Sequence, residues 1–340
     1  MTDTQQQIVL ASRPSSAPVD ANFRLETVAL SAVGQGEVLV RVQYLSLDPY
    51  MRGRMNDTKS YADPVPIGGV MEGMGVGEVI ASNDPGFQPG DFAMGGFGWA
   101  DHGCLPAKKL RKIDPALAPV QTSLGILGLP GFTGWYGLTA LGKPKAGETL
   151  VIGSATGAVG TLVGQWARLL GLRVVGVAGG AEKCAYAVEK LGFDACIDYR
   201  GKTAEALATE LKVACPDGID IYWENTGGPL TEAVIEQMNG FGRMILCGMI
   251  AWYNEKPKPD AENLLPKFWR NILVNRLSVQ GFIISDHWDQ LQSFVAEVAP
   301  RIAAGDITYR ESITEGLETM PTAFMGMLEG KNFGKTLVKL

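Results

Sequence analysis

A chain of 340 residues exceeds the usual domain size of about 100–150 residues and predicts two domains. Its 46% hydrophobic and 19% charged content is that of an ordinary globular protein, and 30 basic against 36 acidic side chains leave a net charge of −6. That balance, with no long basic block, argues against nucleic acid or a membrane surface as partner, and no apolar run reaches the roughly 18 residues of a membrane span.

The N-terminal stretch MTDTQQQIVLASRP has no basic region and only a four-residue apolar run, so it does not read as a secretory signal. Residues 1–127 are broken often by Gly and Pro, and β-former runs such as EVLVRVQY (37–44) predict a β-rich domain. From about residue 147 the texture becomes a regular alternation. ETLVIG reads as a strand, TLVGQWARLLG as a helix, LRVVGVAG as a strand and AEKCAYAVEKLG as a helix. FDACIDY, GIDIYWEN and GRMILCGMI continue as strands, separated by the helices TAEALATELKVAC and GPLTEAVIEQMN. The segment 268–284 holds another β-rich run, LSVQGFII, and 288–304 has helical apolar spacing that stops at Gly305. GKNFGKTLVKL (330–340) reads as a turn and a terminal strand. Strands separated by helices of roughly 10–15 residues mean βαβ units and a parallel sheet. The expected fold is therefore α/β: a doubly wound parallel sheet over 128–300, inserted in a β-rich domain made of 1–127 and 301–340.

Five cysteines (Cys104, Cys184, Cys196, Cys215, Cys247) stand singly and are odd in number, which suits a reduced, cytoplasmic protein rather than a disulfide framework. With two histidines, His102 and His287, and no C-x-x-C, the chain lacks the ligand set of a catalytic or structural zinc site, and no metal is expected.

The stretch VIGSATGAVG (151–160) nearly spells the dinucleotide fingerprint, with Gly157 and Gly160 in its second and third glycine positions and Ala155 in the first. A strand precedes it and a helix follows, as the motif demands. The turn Ala155, Thr156, Gly157, Ala158 and Val159 is expected to bring backbone N–H groups and a helix N-terminus to a pyrophosphate. A glycine-rich turn that packs a helix on a sheet without any ligand is the bland alternative. An NAD site usually carries Asp or Glu roughly 20 residues on, at the end of the second strand. Here that strand ends in Gly179-Gly180, followed by Lys183, and Tyr199 closes the third strand. A missing acid and an added cation favour a 2′-phosphate, hence NADPH. Lys183 could equally be a solvated helix lysine.

These motifs resemble the zinc-independent branch of the medium-chain dehydrogenase/reductase superfamily, which holds leukotriene/prostaglandin reductases, plant alkenal double-bond reductases and bacterial curcumin reductases. The resemblance runs through LSLDPYMRGRM (45–55), GLPGFTGWYGL (128–138), ATGAVGTLVGQWARLLG (155–171), VVGVAGGAEKC (174–184) and LGFDACIDY (191–199). It continues through GIDIYWENTGG (218–228), CGMIAWYN (247–254) and GKNFGKTLVKL, and the curcumin-reductase type shares ASRP (11–14), IGGVM (67–71) and QGFII (280–284). It implies a GroES-like catalytic domain, a Rossmann domain and a homodimer. It implies NADPH-dependent reduction of the C=C bond of α,β-unsaturated ketones and aldehydes, such as curcumin-like enones, alkenals or keto-prostaglandin-like compounds. It also implies NADPH contacts at Gly157, Lys183 and Tyr199, with Asn225 and Asn332 near the nicotinamide and Cys247, Gly248, Tyr253 and Phe282 in the same set.

A conjugated enone is electrophilic at its β-carbon without a metal. Hydride addition there develops negative charge on the carbonyl oxygen, which a positioned donor stabilises. The candidate donor is Tyr253, just past the strand MILCGMI, whose phenol is protonated at neutral pH. A tyrosine capping an apolar loop is the competing role, and a cofactor hydroxyl or a water could donate instead. Tyr50 is the second candidate, Tyr61 a third substrate contact, and Met249, Trp252 and Phe282 are candidates for an apolar wall. A quinone reductase and a non-enzymatic NADPH-binding sensor are the competing functions.

Overall fold

The computed structural model describes residues 4–255 and 263–340. The chain forms two compact units, Met1–Gly128 with Glu311–Leu340, and Leu129–Arg310. Strands β1 (Thr4–Leu10), β2 (Phe23–Ala29) and β3 (Glu37–Leu47) lead to the short helix α1 (Tyr50–Arg54). Next come β4 (Gly75–Ser82), β5 (Phe92–Gly95), β6 (His102–Pro106) and β7 (Arg111–Ile113). The second unit runs through α2 (Leu129–Tyr136), β8 (Thr149–Gly153), α3 (Gly160–Leu169), β9 (Arg173–Ala178), α4 (Ala181–Glu189) and β10 (Ala195–Asp198). It continues with α5 (Ala204–Ala214), β11 (Ile219–Glu224), α6 (Pro229–Ile235), β12 (Met238–Leu246), α7 (Leu265–Asn275), β13 (Ser278–Gly281) and α8 (Leu291–Ala303). The chain then returns to the first unit as β14 (Glu311–Glu315), α9 (Met320–Leu328) and β15 (Lys335–Lys339).

In the first unit, the sheet among the described residues has the order β14-β15-β3-β4-β5-β7, with β6 also on β3 and a separate β1–β2 hairpin. This is the β-rich, GroES-like part. Val38, Val40 and Val42 of β3 bury one side of the strand in its core. Trp99 lies stacked on Phe23 (5.4 Å) and edge-on to Phe324 of α9 (5.5 Å). A buried ion pair pins the end of β3. Lys335 Nζ of β15 donates to Asp48 Oδ1 (2.6 Å) and to the Leu47 carbonyl (2.8 Å), and the Ser46 hydroxyl donates to the other Asp48 oxygen. Removing one partner of such a pair leaves a buried charge and costs about 3–5 kcal/mol. The pair therefore fixes the segment from which Tyr50 and α1 start.

In the second unit, the order β10-β9-β8-β11-β12-β13, parallel throughout, is the doubly wound Rossmann arrangement. Strand β8 (TLVIG) is buried at every residue, as a parallel strand covered on both faces must be. The order reverses between β8 and β11, and ligands bind at such a switch point, outside the carboxyl ends of the strands.

Three local expectations are corrected. The helix from GPLTEAVIEQMN stops at Ile235, because β12 already starts at Met238. Its pairing with β11 jumps from Met238 to Arg243 past a left-handed Phe241 (φ 65°). Strand β12 ends at Leu246, so Tyr253 follows a loop and a short 3-10 turn, Ile250–Trp252, instead of the strand itself. In 268–284, helix α7 takes the first part and the β run shrinks to Ser278–Gly281.

Candidate active site

At the end of β8 the chain turns through Ser154, held in a left-handed conformation (φ 54°). Ala155 N–H donates to the Val177 carbonyl of β9 (3.0 Å), and the Ala155 side chain is wholly buried. Its methyl occupies the space that a side chain on Gly176 would need, since a Cβ there would come within 2.8 Å. The missing first glycine of the fingerprint is thus matched by a glycine on the next strand. The other glycines act where the motif expects. A Cβ on Gly160 would collide with the Ser154 carbonyl, and one on Gly157 would lie 2.8 Å from Ser154 Oγ. Thr156 is buried, while Gly157, Ala158 and Val159 are half-buried along the approach to α3.

At the end of β9, Gly180 (φ 99°) caps α4 and donates its N–H to Asp198 Oδ1 of β10 (2.7 Å), which also accepts from the Arg200 N–H (3.1 Å). Burial raises the Asp198 pKa, but these two N–H groups, together with the charges of Arg200 and Lys202, outweigh it and the carboxyl ends below its ordinary value. The acid of the third strand is therefore turned onto backbone. A Cβ on Gly179 would sit 3.2 Å from the Tyr199 hydroxyl, and one on Gly180 only 2.8 Å from Arg200 Nη1. Lys183 lies in the first turn of α4, its ammonium disfavoured by burial and by the charge of Arg200. Gly179, Gly180, Lys183 and Tyr199 thus come together. Arg200, which the sequence reading passed over, joins them; its signal was its place directly after Tyr199.

Across the switch point, Asn225 Nδ2 donates to the Gly153 carbonyl (2.9 Å), and its Oδ1 accepts from Trp223 Nε1 (3.0 Å). Asn225 therefore ties β11 to the fingerprint. Glu224, 1% exposed, was also missed. Its carboxylate accepts from the N–H groups of Thr226 (2.6 Å) and Gly227 (2.8 Å) and from the Thr231 hydroxyl, shaping the turn ENTGG. The loop after β12 leans on this turn, Cys247 and Gly248 donating N–H to the Glu224 carbonyl and Ile250 to that of Asn225. Burial, with Glu224 nearby, pushes the Cys247 thiol up to about 12. The Tyr253 hydroxyl accepts from Met249 N–H (3.3 Å) and would lie 3.3 Å from a Cβ on Gly248. Trp252 covers Gly227, and Phe282 packs edge-on to Trp223 (6.2 Å), leaving Gly137 no room for a side chain.

In the first unit, Tyr50 opens α1. Arg54, from the same turn, places its guanidinium 4.3 Å over the Tyr61 ring, donates to Glu72 Oε2 (3.1 Å) and holds the Ala62 carbonyl (3.0 Å). Burial and the nearby Asp48, Glu72 and Tyr61 push the Tyr50 phenol well above its usual range, so it stays a hydrogen-bond donor at any physiological pH. Tyr50 and Tyr61 are thus brought together. Asn332 donates to the Gly334 carbonyl (2.9 Å), bracing its own turn.

Two family descriptions match the chain: an N-terminal domain of oxidoreductase over residues 6–113 and a zinc-binding dehydrogenase over 158–299. The NADPH-dependent curcumin reductase of Escherichia coli (strain K12) is 48% identical over 333 residues, 98% of this chain and 96% of that protein. A 2-alkenal reductase (NADP(+)-dependent) of Nicotiana tabacum is 37% identical over 340 residues, covering 98% and 97%. The crystal structure of CurA from Vibrio vulnificus in complex with NADPH superposes with a TM-score of 0.93 at 45% identity, over 98% of both chains. This chain is a zinc-independent medium-chain dehydrogenase/reductase. It falls in the branch of the curcumin, prostaglandin and alkenal double-bond reductases.

In this medium-chain reductase, Glu72 of the run GGVMEGMGVG (68–77) is engaged by Arg54. Among the described residues no group of three or more His, Cys, Asp or Glu could hold a metal ion. Nor, among them, is any helix long and apolar enough to cross a membrane.

Proposed function

We propose that this protein is an NADPH-dependent reductase of the C=C bond of α,β-unsaturated ketones and aldehydes, acting on curcumin-like enones and alkenals. The reading is carried by end-to-end likeness to a curcumin reductase and an alkenal reductase, at 48% and 37% identity. The donor set fits the cofactor. Gly157 stands at the approach to α3, no acid stands at the end of β9, Tyr199 borders the Gly179-Gly180 pair, and Lys183 follows in the first turn of α4. Bound there, NADPH supplies the hydride.

The chain's own groups supply the rest. The turn Ala155–Val159 binds the pyrophosphate at the start of α3, and Lys183 and Tyr199 take the 2′-phosphate. Asn225, Cys247, Gly248, Phe282 and Asn332 complete the cofactor set. Tyr253 donates from its phenol to the substrate carbonyl oxygen as charge develops there, and accepting from Met249 N–H orients the ring. Tyr50 and Tyr61 contact the substrate, and Arg54 positions Tyr61.

The same reading makes the protein a cytoplasmic homodimer. All five cysteines are free thiols, which suits a reducing compartment. Strand β13 ends the parallel sheet, and Leu265, Trp269 and Leu273 of α7 are exposed, an apolar face suited to a second copy.

NADPH oxidation measured with a curcuminoid, an alkenal and a quinone side by side tests the proposal. Turnover of the first two is expected to exceed that of the quinone. Turnover of the quinone alone, or none on any of them, would overturn it.

A further inference from the structure

The second glycine cluster contains a cation with no role in the function proposed above. The Arg200 guanidinium is spread over Gly179 and Gly180: a Cβ on Gly180 would come within 2.8 Å of Nη1 and 3.1 Å of Cζ, and one on Gly179 within 3.2 Å of Nε. The Tyr199 hydroxyl reaches the same point above Gly179 at 3.2 Å. Glycines at both positions leave the guanidinium room to lie there. The Lys183 ammonium, disfavoured first by its burial, also feels the Arg200 charge.

Two cations side by side suit an anionic ligand. The neighbouring Asp198 feels the Arg200 charge but makes no ion pair with it, and its Oδ1 is taken by the N–H groups of Gly180 and Arg200. Lys202, two residues on, is neutralised by Glu210 (2.6 Å), whereas Arg200 has no ion-pair partner among the described residues. A phosphate monoester is a dianion with three acceptor oxygens near neutral pH, and a planar guanidinium matches two of them at once.

We infer that Arg200 is a specificity-determining residue. Its guanidinium and the Lys183 ammonium form a two-cation clamp for the 2′-phosphate of the cofactor, and Arg200 supplies its bidentate arm. The inference rests on the proposed NADPH site. It differs from the sequence reading, in which Lys183 and Tyr199 act alone. A guanidinium over two glycines could instead stack on an adenine ring, which would serve NADH equally well, and the test separates these roles.

The experiment is titration calorimetry of the wild type, Arg200→Gln and Arg200→Lys with 2′,5′-ADP and with 5′-ADP at fixed ionic strength. Circular dichroism checks that each variant is folded, as an exposed arginine at a strand end should allow. Wild type should prefer 2′,5′-ADP. Arg200→Gln should weaken 2′,5′-ADP by about 10- to 100-fold, the scale of a hydrogen bond to a charged group, and leave 5′-ADP unchanged. Arg200→Lys should recover part of the loss, since it restores the charge without the fork. Equal loss for both ligands assigns Arg200 to adenine stacking and overturns the inference, as does no loss for either. A wild type indifferent to the 2′-phosphate would instead sink the NADPH site itself.

Discussion

Tyr253 shows how little of a residue's role lies in its identity. Its phenol sits on the backbone of Gly248 and Met249, a loop that leans on the Glu224–Gly227 turn through Cys247, Gly248 and Ile250. The ring is therefore oriented from both sides of the switch point. Replacing Tyr253 with Phe removes the donor and leaves the ring, so kcat on an enone should fall at least tenfold and up to the roughly 10²–10⁴-fold of a positioned acid. Steady-state kinetics reads this directly, and an unchanged kcat would take Tyr253 out of the mechanism. Gly157, Gly160 and the acid-free Gly179-Gly180 pair are local patterns, and the proposed cofactor side is read from them without coordinates. Arg200 and Glu224 were illegible, because an arginine in a loop and a glutamate ending a strand look solvated. Only the fold shows one lying over two glycines and the other buried on the N–H groups of its own turn.

Strand packing explains the altered fingerprint. Ala155 is tolerated because β9 offers Gly176 directly beneath it. Gly176→Ala should then overpack this junction and destabilise the fold by about 1–3 kcal/mol. Because part of the clash is with Ala155, adding Ala155→Gly should cost less in that background than in the wild type. Urea denaturation of the two single variants and the double variant tests this, and strict additivity would deny the contact. Relief should be partial, since a Cβ on Gly176 would also approach Phe193 (3.0 Å) and Cys196 Sγ (3.3 Å). The βαβ alternation from β8 to β11 was readable from periodicity, but two helices were not. Helix α2, in GLPGFTGWY, is rich in glycine, a poor helix former, yet Gly134 lets Val163 of α3 approach to where a Cβ would be 3.0 Å away. Packing outweighed propensity there. Helix α7 begins with a proline in its first turn and leaves Leu265, Trp269 and Leu273 exposed, so its apolar residues resemble the β run that follows.

At the scale of the molecule, the β-rich unit is interrupted in sequence by the Rossmann unit and resumes at Glu311. The buried Lys335–Asp48 pair joins the two sequence halves of the first unit, so its last strand fixes the segment that carries Tyr50. Length and texture foretold an inserted α/β domain. The ion pair was hidden, because a lysine near the chain end reads as solvated until its surroundings are known. The central claim is that hydride goes to the β-carbon of a conjugated enone while the carbonyl survives. Reduction of an enone with NADPH deuterated at the transferred position, followed by NMR of the product, tests it most directly. A saturated ketone with deuterium on the β-carbon is the expected result; deuterium on a carbinol carbon, with the C=C bond intact, would contradict the account.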